Sequence, residues 1–229
     1  MNQQAPSIRR PATYQDVLDA PAHMVAELIE GALHLHPRPA SPHARASSAL
    51  GVRIGGPFDS GPDGPGGWWT LDAPELHLGS DVLVPDLAGW RRTRMPTYPT
   101  VPWFELAPDW VCEILSPSTR RIDLTDKRRL YAVAGIAGLW LIDPVDRTLE
   151  AFALGPGGWT LIAALKNDDE ARVPPFDAIG FPLSVLWLKI FPLSPRFAAS
   201  ESASSMQRTE SWMWMNARVC PPVPCTVSG

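Results

Sequence analysis

Cysteine is scarce in this chain, with three in 229 residues, too few for the disulfide framework that small secreted domains depend on. Cys112 falls within an apolar run, while Cys220 and Cys225 lie near the C-terminus with no histidine close by, so a structural zinc is not expected. Long hydrophobic runs are missing too. No stretch approaches the roughly 20 apolar residues of a membrane span, and the polar opening MNQQAPSIRR lacks the apolar segment of a secretory signal, so a cytoplasmic protein without a membrane anchor is expected. Nor is there an excess of positive charge: a net charge of −4 gives no global attraction to polyanions, and contact with nucleic acid would have to rest on local charge. Gly-x-Ser-x-Gly, the elbow of serine hydrolases, does not occur. The glycine-rich stretch from Gly55 to Gly67 lacks both the Gly-Lys-Ser/Thr ending and the preceding strand of a phosphate loop, and reads as a connection.

What is present suits one globular domain with an appendage. At 45% hydrophobic and 19% charged, the chain can bury a full core. Thr13 to Leu18 reads as a short helix capped by Thr13, and AELIEGALHLHP as a hairpin turning at Glu30-Gly31. Ser41 and Pro42 open a helix over His43 to about Ile54, which Gly55, Gly56 and Pro57 end. WWTLDAPELHLG and DVLVPDLAGW read as two strands, Met95 to Pro108 as a proline-rich connection, and Asp109 to Leu115 as a third strand. A basic helix, the buried strand GLWLIDP and a hairpin around Gly155 to Gly158 complete an α/β pattern with a mixed sheet. From residue 189 onward, serine clusters and scattered aromatics replace any sustained period, which predicts a domain over 1–188 and a low-complexity, disordered tail over 189–229. Trp212 and Trp214 are either an anchor or part of an unstructured appendage.

Two carboxylates and a lysine break the patterning. In DWVCEIL side chains alternate, so Glu113 shares a face with Val111 and Leu115. In VLVPDLAGW, Asp86 shares a face with Val84 and Ala88, beside a proline that marks a strand start or edge. On the basic helix, Lys127, Leu130, Tyr131 and Ala134 follow helical spacing, so the ammonium joins the inward stripe. An unpaired buried carboxylate costs several kcal/mol or takes a proton. A divalent cation between Asp86 and Glu113 satisfies both; structural ion pairing, for instance of Glu113 with Lys127, is the alternative. His34 and His36 lie two apart on one strand with no third ligand evident, and are expected to face solvent. Arg91, Arg92 and Arg94, and Arg120, Arg121, Arg128 and Arg129, are either solvated faces or a polyanion contact.

The motifs ELIEG, SPH, PDLAGW, CEILSPST, IDLTDKRRLYAVAGI and LWLIDP, in this order from Thr13 to Leu188, resemble the Uma-type restriction endonuclease family of the PD-(D/E)XK nuclease superfamily. The resemblance implies a restriction-endonuclease-like core, a mixed central sheet flanked by helices with an N-terminal β-hairpin. It also implies a magnesium-dependent phosphodiesterase, manganese being a substitute, that acts on nucleic acid, DNA before RNA, with a homodimer admissible. Asp86 and Glu113 then correspond to the metal-binding acids, with the carbonyl of Ile114 as a third ligand. Leu115 stands where the superfamily places its lysine, and Lys127 corresponds to a lysine relocated to the next helix. Glu27 corresponds to the glutamate of the opening hairpin, His43 and Asp123 are accessory, and Arg120, Arg121, Arg128 and Arg129 would hold the nucleic-acid backbone. A catalytically silent nuclease fold that binds nucleic acid or a protein is the alternative.

Overall fold

The computed structural model describes residues 10–61 and 64–187. The tail assigned to 189–229, with Cys220, Cys225, Trp212 and Trp214, lies outside the described residues. In chain order the strands are β1 (Met24–Ile29), β2 (Ala32–Pro37), β3 (Trp68–Asp72), β4 (Glu75–Leu78), β5 (Asp81–Leu83), β6 (Leu87–Arg91), β7 (Trp103–Phe104), β8 (Trp110–Ile114), β9 (Gly138–Asp143), β10 (Thr148–Gly155), β11 (Gly158–Lys166), β12 (Glu170–Ala171) and β13 (Phe181–Pro182). The helices are α1 (Tyr14–Leu18), α2 (Ser41–Ile54), α3 (Arg120–Ile122) and α4 (Arg128–Val133). A π-helical turn, Asp123–Lys127, joins α3 to α4.

The strands form a six-stranded sheet ordered β11-β10-β9-β8-β6-β3, a five-stranded sheet ordered β2-β1-β5-β4-β7, and the small pair β12-β13. In the six-stranded sheet only β8 and β9 are parallel. Helix α3, the π turn and α4 make the crossover between them, as a parallel pair requires. The mixed sheet and the hairpin β1–β2 follow the sequence expectation, but the hairpin belongs to a second sheet of its own.

Strand β8 is buried along its whole length. Its alternation divides the core: Trp110, Cys112 and Ile114 pack with α2 residues such as Leu50 and Ile54, while Val111 and Leu115 pack with Leu130 and Tyr131 of α4. Gly89 on β6, opposite Trp110, is tightly packed: a Cβ there would meet the rings of Trp110 and Trp68 at 3.3 Å, and those rings would have to give by a few tenths of an ångström. At the N-terminus Asp16 accepts from the Thr13 N–H at 2.7 Å and from its hydroxyl at 2.9 Å, fixing the start of α1. The hairpin turns with φ of 49° at Glu30 and 74° at Gly31, and Asp81 accepts from the Glu30 N–H at 2.6 Å.

Three expectations require correction. The two long strands over 68–91 are four short ones, because the hairpin they form bends from one sheet into the other. β3 pairs with β6 in the six-stranded sheet and β4 with β5 in the five-stranded sheet. The corner lies at Ala73-Pro74 on one arm, where Ala73 has φ of 47°, and at Val84 to Asp86 on the other. An Ala73 N–H bond to the Asp86 carbonyl at 3.0 Å pins the two arms together. Pro74 and Pro85 cannot donate to a ladder, so each interrupts it where the bend occurs. The proline-rich connection contains β7, parallel to β4. The loop after α2 begins as a π-helical turn, Gly55–Ser60. Tertiary anchors override its glycines and proline: Phe58 is buried against Phe176, with ring centroids 4.9 Å apart, and Asp59 holds Arg92 at 2.7 Å. Phe58→Ala is expected to cost about 3–5 kcal/mol, read as a lower urea midpoint at unchanged m-value.

Candidate functional site

Where the bent hairpin changes sheets, Asp86 occupies a bend just before β6, not a strand position. Its side chain is 23% exposed. The backbone N–H of Ile114, on neighbouring β8, donates to Asp86 Oδ2 at 2.7 Å, and His43 Nε2 from the first turns of α2 lies 3.1 Å from the same carboxylate. The inward alternation of β8 brings Glu113 to the same place from the adjacent residue.

Lys127 reaches Glu113 from the crossover helix. Its ammonium lies 2.8 Å from Glu113 Oε1, 3.0 Å from Glu27 Oε1 and 3.7 Å from Asp123 Oδ1, and it donates to the Val84 carbonyl at 3.2 Å. All four charged side chains are buried. Glu27, on β1, also accepts from the Val84 N–H at 2.7 Å, so Val84, just after β5, bonds the glutamate through its N–H and the ammonium through its carbonyl. Tyr131, one turn further along the helix, donates its hydroxyl to Glu113 Oε1, the oxygen that Lys127 also engages.

These contacts set the charge states. Burial alone would lower the Lys127 pKa, but Glu113 and Glu27 hold it well above its ordinary value, so it stays an ammonium. Burial, relieved in part by Lys127 and reinforced by the like charges of Asp123, Asp86 and Glu27, pushes Glu113 well up. Asp123 is raised by burial against the pull of Lys127. Glu27 moves the other way. Burial would raise it, but Lys127, His36 and the Val84 N–H bring it down to about 2.

Asp86, Glu113, Lys127, Glu27, His43 and Asp123 all line one cleft of about 230 Å³. Sequence reasoning missed two residues here. His36 is buried, with Nε2 3.2 Å from Glu27 Oε2, where a solvent-facing histidine was expected. The hairpin register could have found it: Glu27 pairs with His34 and Val25 with His36, so an inward Glu27 carries both histidines to its own face. Tyr131 was visible only as an apolar-stripe residue, because its hydroxyl partner depends on the tertiary placement of Glu113.

Three of the four arginines assigned to the nucleic-acid backbone have protein partners. Arg120 pairs with Asp143, Arg129 with Glu30 at 2.7 Å, and Arg128 lies over the Phe152 ring at 4.4 Å. Arg121 is exposed. In the first cluster, Arg91 lies over Trp68, Arg92 over Trp69, and Arg94 pairs with Asp109.

No set of three or more His, Cys, Asp and Glu side chains is arranged as a metal cage among the described residues. The donor set nevertheless suits a hard cation. Magnesium binds through one or two carboxylates and keeps several waters, and the cleft sets four carboxylates against the two cations Lys127 and Arg38. Asp86, partly open to the cleft, and Glu113 are the oxygen donors that fit.

The Uma2 family model, described as "Putative restriction endonuclease", matches residues 12–185. Among solved structures, the chain is similar to that of a "putative nuclease belonging to DUF820" from Anabaena variabilis. The TM-score is 0.59 at 22% identity, with 77% of this chain and 97% of the other covered. None of the curated proteins matches the chain. Among the described residues no helix is long and apolar enough to cross a membrane.

Glu27 carries a pH prediction. Its carboxylate is depressed in the folded state, so it contributes stability above the ordinary carboxylate value of 4.5 that is lost as pH falls towards about 2. The gap in urea midpoint between wild type and Glu27→Gln should therefore be full at neutral pH and narrow across that acid window.

Proposed function

Because the chain belongs to the Uma2 family, we propose that this cleft is the active site of a magnesium-dependent endonuclease that hydrolyses phosphodiester bonds of nucleic acid, DNA before RNA. The observation that carries the reading is the convergence of Asp86, Glu113 and Lys127 on one cleft with a surplus of negative charge. Asp86, Glu113 and the Ile114 carbonyl would hold magnesium, or manganese in its stead, which when bound would act as a Lewis acid and lower the pKa of an attacking water.

The side chains then have separate tasks. Ile114 N–H and His43 orient Asp86, and Tyr131 and Lys127 fix Glu113 through Oε1. Lys127 is kept charged by two carboxylates, so it can donate a hydrogen bond to water or offset charge building on the phosphate, but it is a poor proton acceptor. Glu27, tied to His36, holds Lys127 from the far side. Arg121, and Arg120, Arg128 and Arg129 if they exchange their present partners, would contact the flanking backbone.

One observation favours the alternative, a silent nuclease fold that binds without cutting. The Lys127 ammonium already has three carboxylate partners and 3% side-chain exposure, which a purely structural ion pair would also show. Incubation of the purified protein with supercoiled and single-stranded DNA separates the two. Cleavage is expected with magnesium or manganese and none with chelator, and Asp86→Asn should abolish both cleavage and metal-induced thermal stabilisation. Lys127→Met, once its fold is verified by circular dichroism, should lower the cleavage rate at saturating DNA by roughly a hundredfold or more. A normal rate would make Lys127 a structural partner of Glu113, and absence of metal-dependent cleavage by wild type would favour the silent fold.

A further inference from the structure

The cleft presents an electrostatic problem for any phosphate chain. Its floor holds Glu27, Asp86, Glu113 and Asp123, and only two cationic residues other than histidine line it, Lys127 and Arg38. Lys127 is buried between Glu27 and Glu113. Elsewhere, Arg10, Arg92, Arg94, Arg120 and Arg129 are each paired with a carboxylate. Arg45, Arg53, Arg121 and Arg147 also lack a carboxylate partner among the described residues, but none of them lines the cleft; Arg38 does, it is exposed, it too has no carboxylate partner among the described residues, and its hydrogen bond is a long one, to the Ala22 carbonyl at 3.4 Å.

Its backbone is stiff where its side chain is free. Pro37 and Pro39 flank it and limit φ on both sides, and Ala40 immediately afterwards is the N-cap of α2, the helix that carries His43 to Asp86. The base of the guanidinium is thereby held in fixed relation to the candidate metal ligands. A planar fork of N–H donors in such a position matches a phosphate oxygen pair.

We propose that Arg38 binds a phosphate of the nucleic-acid chain next to the one engaged at Asp86 and Glu113, and that it supplies the cleft's own electrostatic grip. The inference rests on reading the cleft as a nuclease site. It assigns a role in substrate binding to a residue outside the basic helix.

Full-length protein in chelator, titrated into fluorescein-labelled single-stranded and duplex oligonucleotides across a series of KCl concentrations, tests this by fluorescence anisotropy. Arg38→Ala should weaken binding several-fold and flatten the slope of log K against log salt by about 0.7 to 0.9, the release of one phosphate contact. Arg38→Lys should keep the slope, and Arg94→Ala, at the far end of the sheet and tied to Asp109, should leave both affinity and slope unchanged. An unaltered slope in Arg38→Ala, an equal loss in Arg94→Ala, or no binding by wild type overturns the proposal. Wild-type binding with the expected Arg38 effect but no magnesium-dependent cleavage would overturn the nuclease reading and leave the phosphate contact standing. Cleavage with an unaltered Arg38→Ala slope would do the reverse.

Discussion

The buried ammonium of Lys127 ties the parts of the fold together. It is carried by the crossover helix and meets Glu27 from the five-stranded sheet, Glu113 from the six-stranded sheet and the Val84 carbonyl where one sheet bends into the other. Removing such a group from water costs several kcal/mol, and the attraction of its partners returns that only when the geometry is good. Apolar residues of similar volume would serve stability about as well, so stability alone gives a weak reason for four charged side chains here. Their position on the floor of a cleft gives a stronger one.

The bend at Ala73-Pro74 and Val84 to Asp86 is the second constraint, because it decides how the two carboxylates differ. Glu113, next to the last residue of β8 and buried, has its pKa pushed up by burial and by like charges. Asp86, at the corner, keeps contact with the cleft and receives a peptide N–H and a histidine. The acid of β8 and the acid of the bend thereby line one cleft in unequal environments, Glu113 buried and Asp86 more open.

How much of this was legible in the sequence follows from the range of each interaction. The alternation of β8 could be read directly, since a central strand buried on both faces sorts its residues by parity, and Glu113 had only one face to take. The inward Lys127 followed from helical spacing with Leu130 and Tyr131, and the start of α1 from the Thr13 cap. The division of 68–91 into four strands was less accessible. Pro74 and Pro85 signal interruption, but only the pairing of β4 with β5 in another sheet turns interruption into a corner. The partners of Arg120 and Arg129 were out of reach, because Asp143 and Glu30 come to them through the sheet order and the hairpin turn rather than through neighbouring sequence.

Those distant pairings change what the basic helix means. A run such as Arg120, Arg121, Lys127, Arg128 and Arg129 looks like a cationic face when helical position is the only guide. In the folded chain Lys127 is enclosed by acids, Arg120 and Arg129 face carboxylates, and Arg128 covers an aromatic ring. Much of that charge neutralises the protein itself, as expected of a chain with more acids than bases. Local attraction for a polyanion then depends on cations that the fold leaves without acidic partners, and on their distance from the reacting centre. The count of basic residues in a segment therefore says little about phosphate binding until each one's carboxylate has been located.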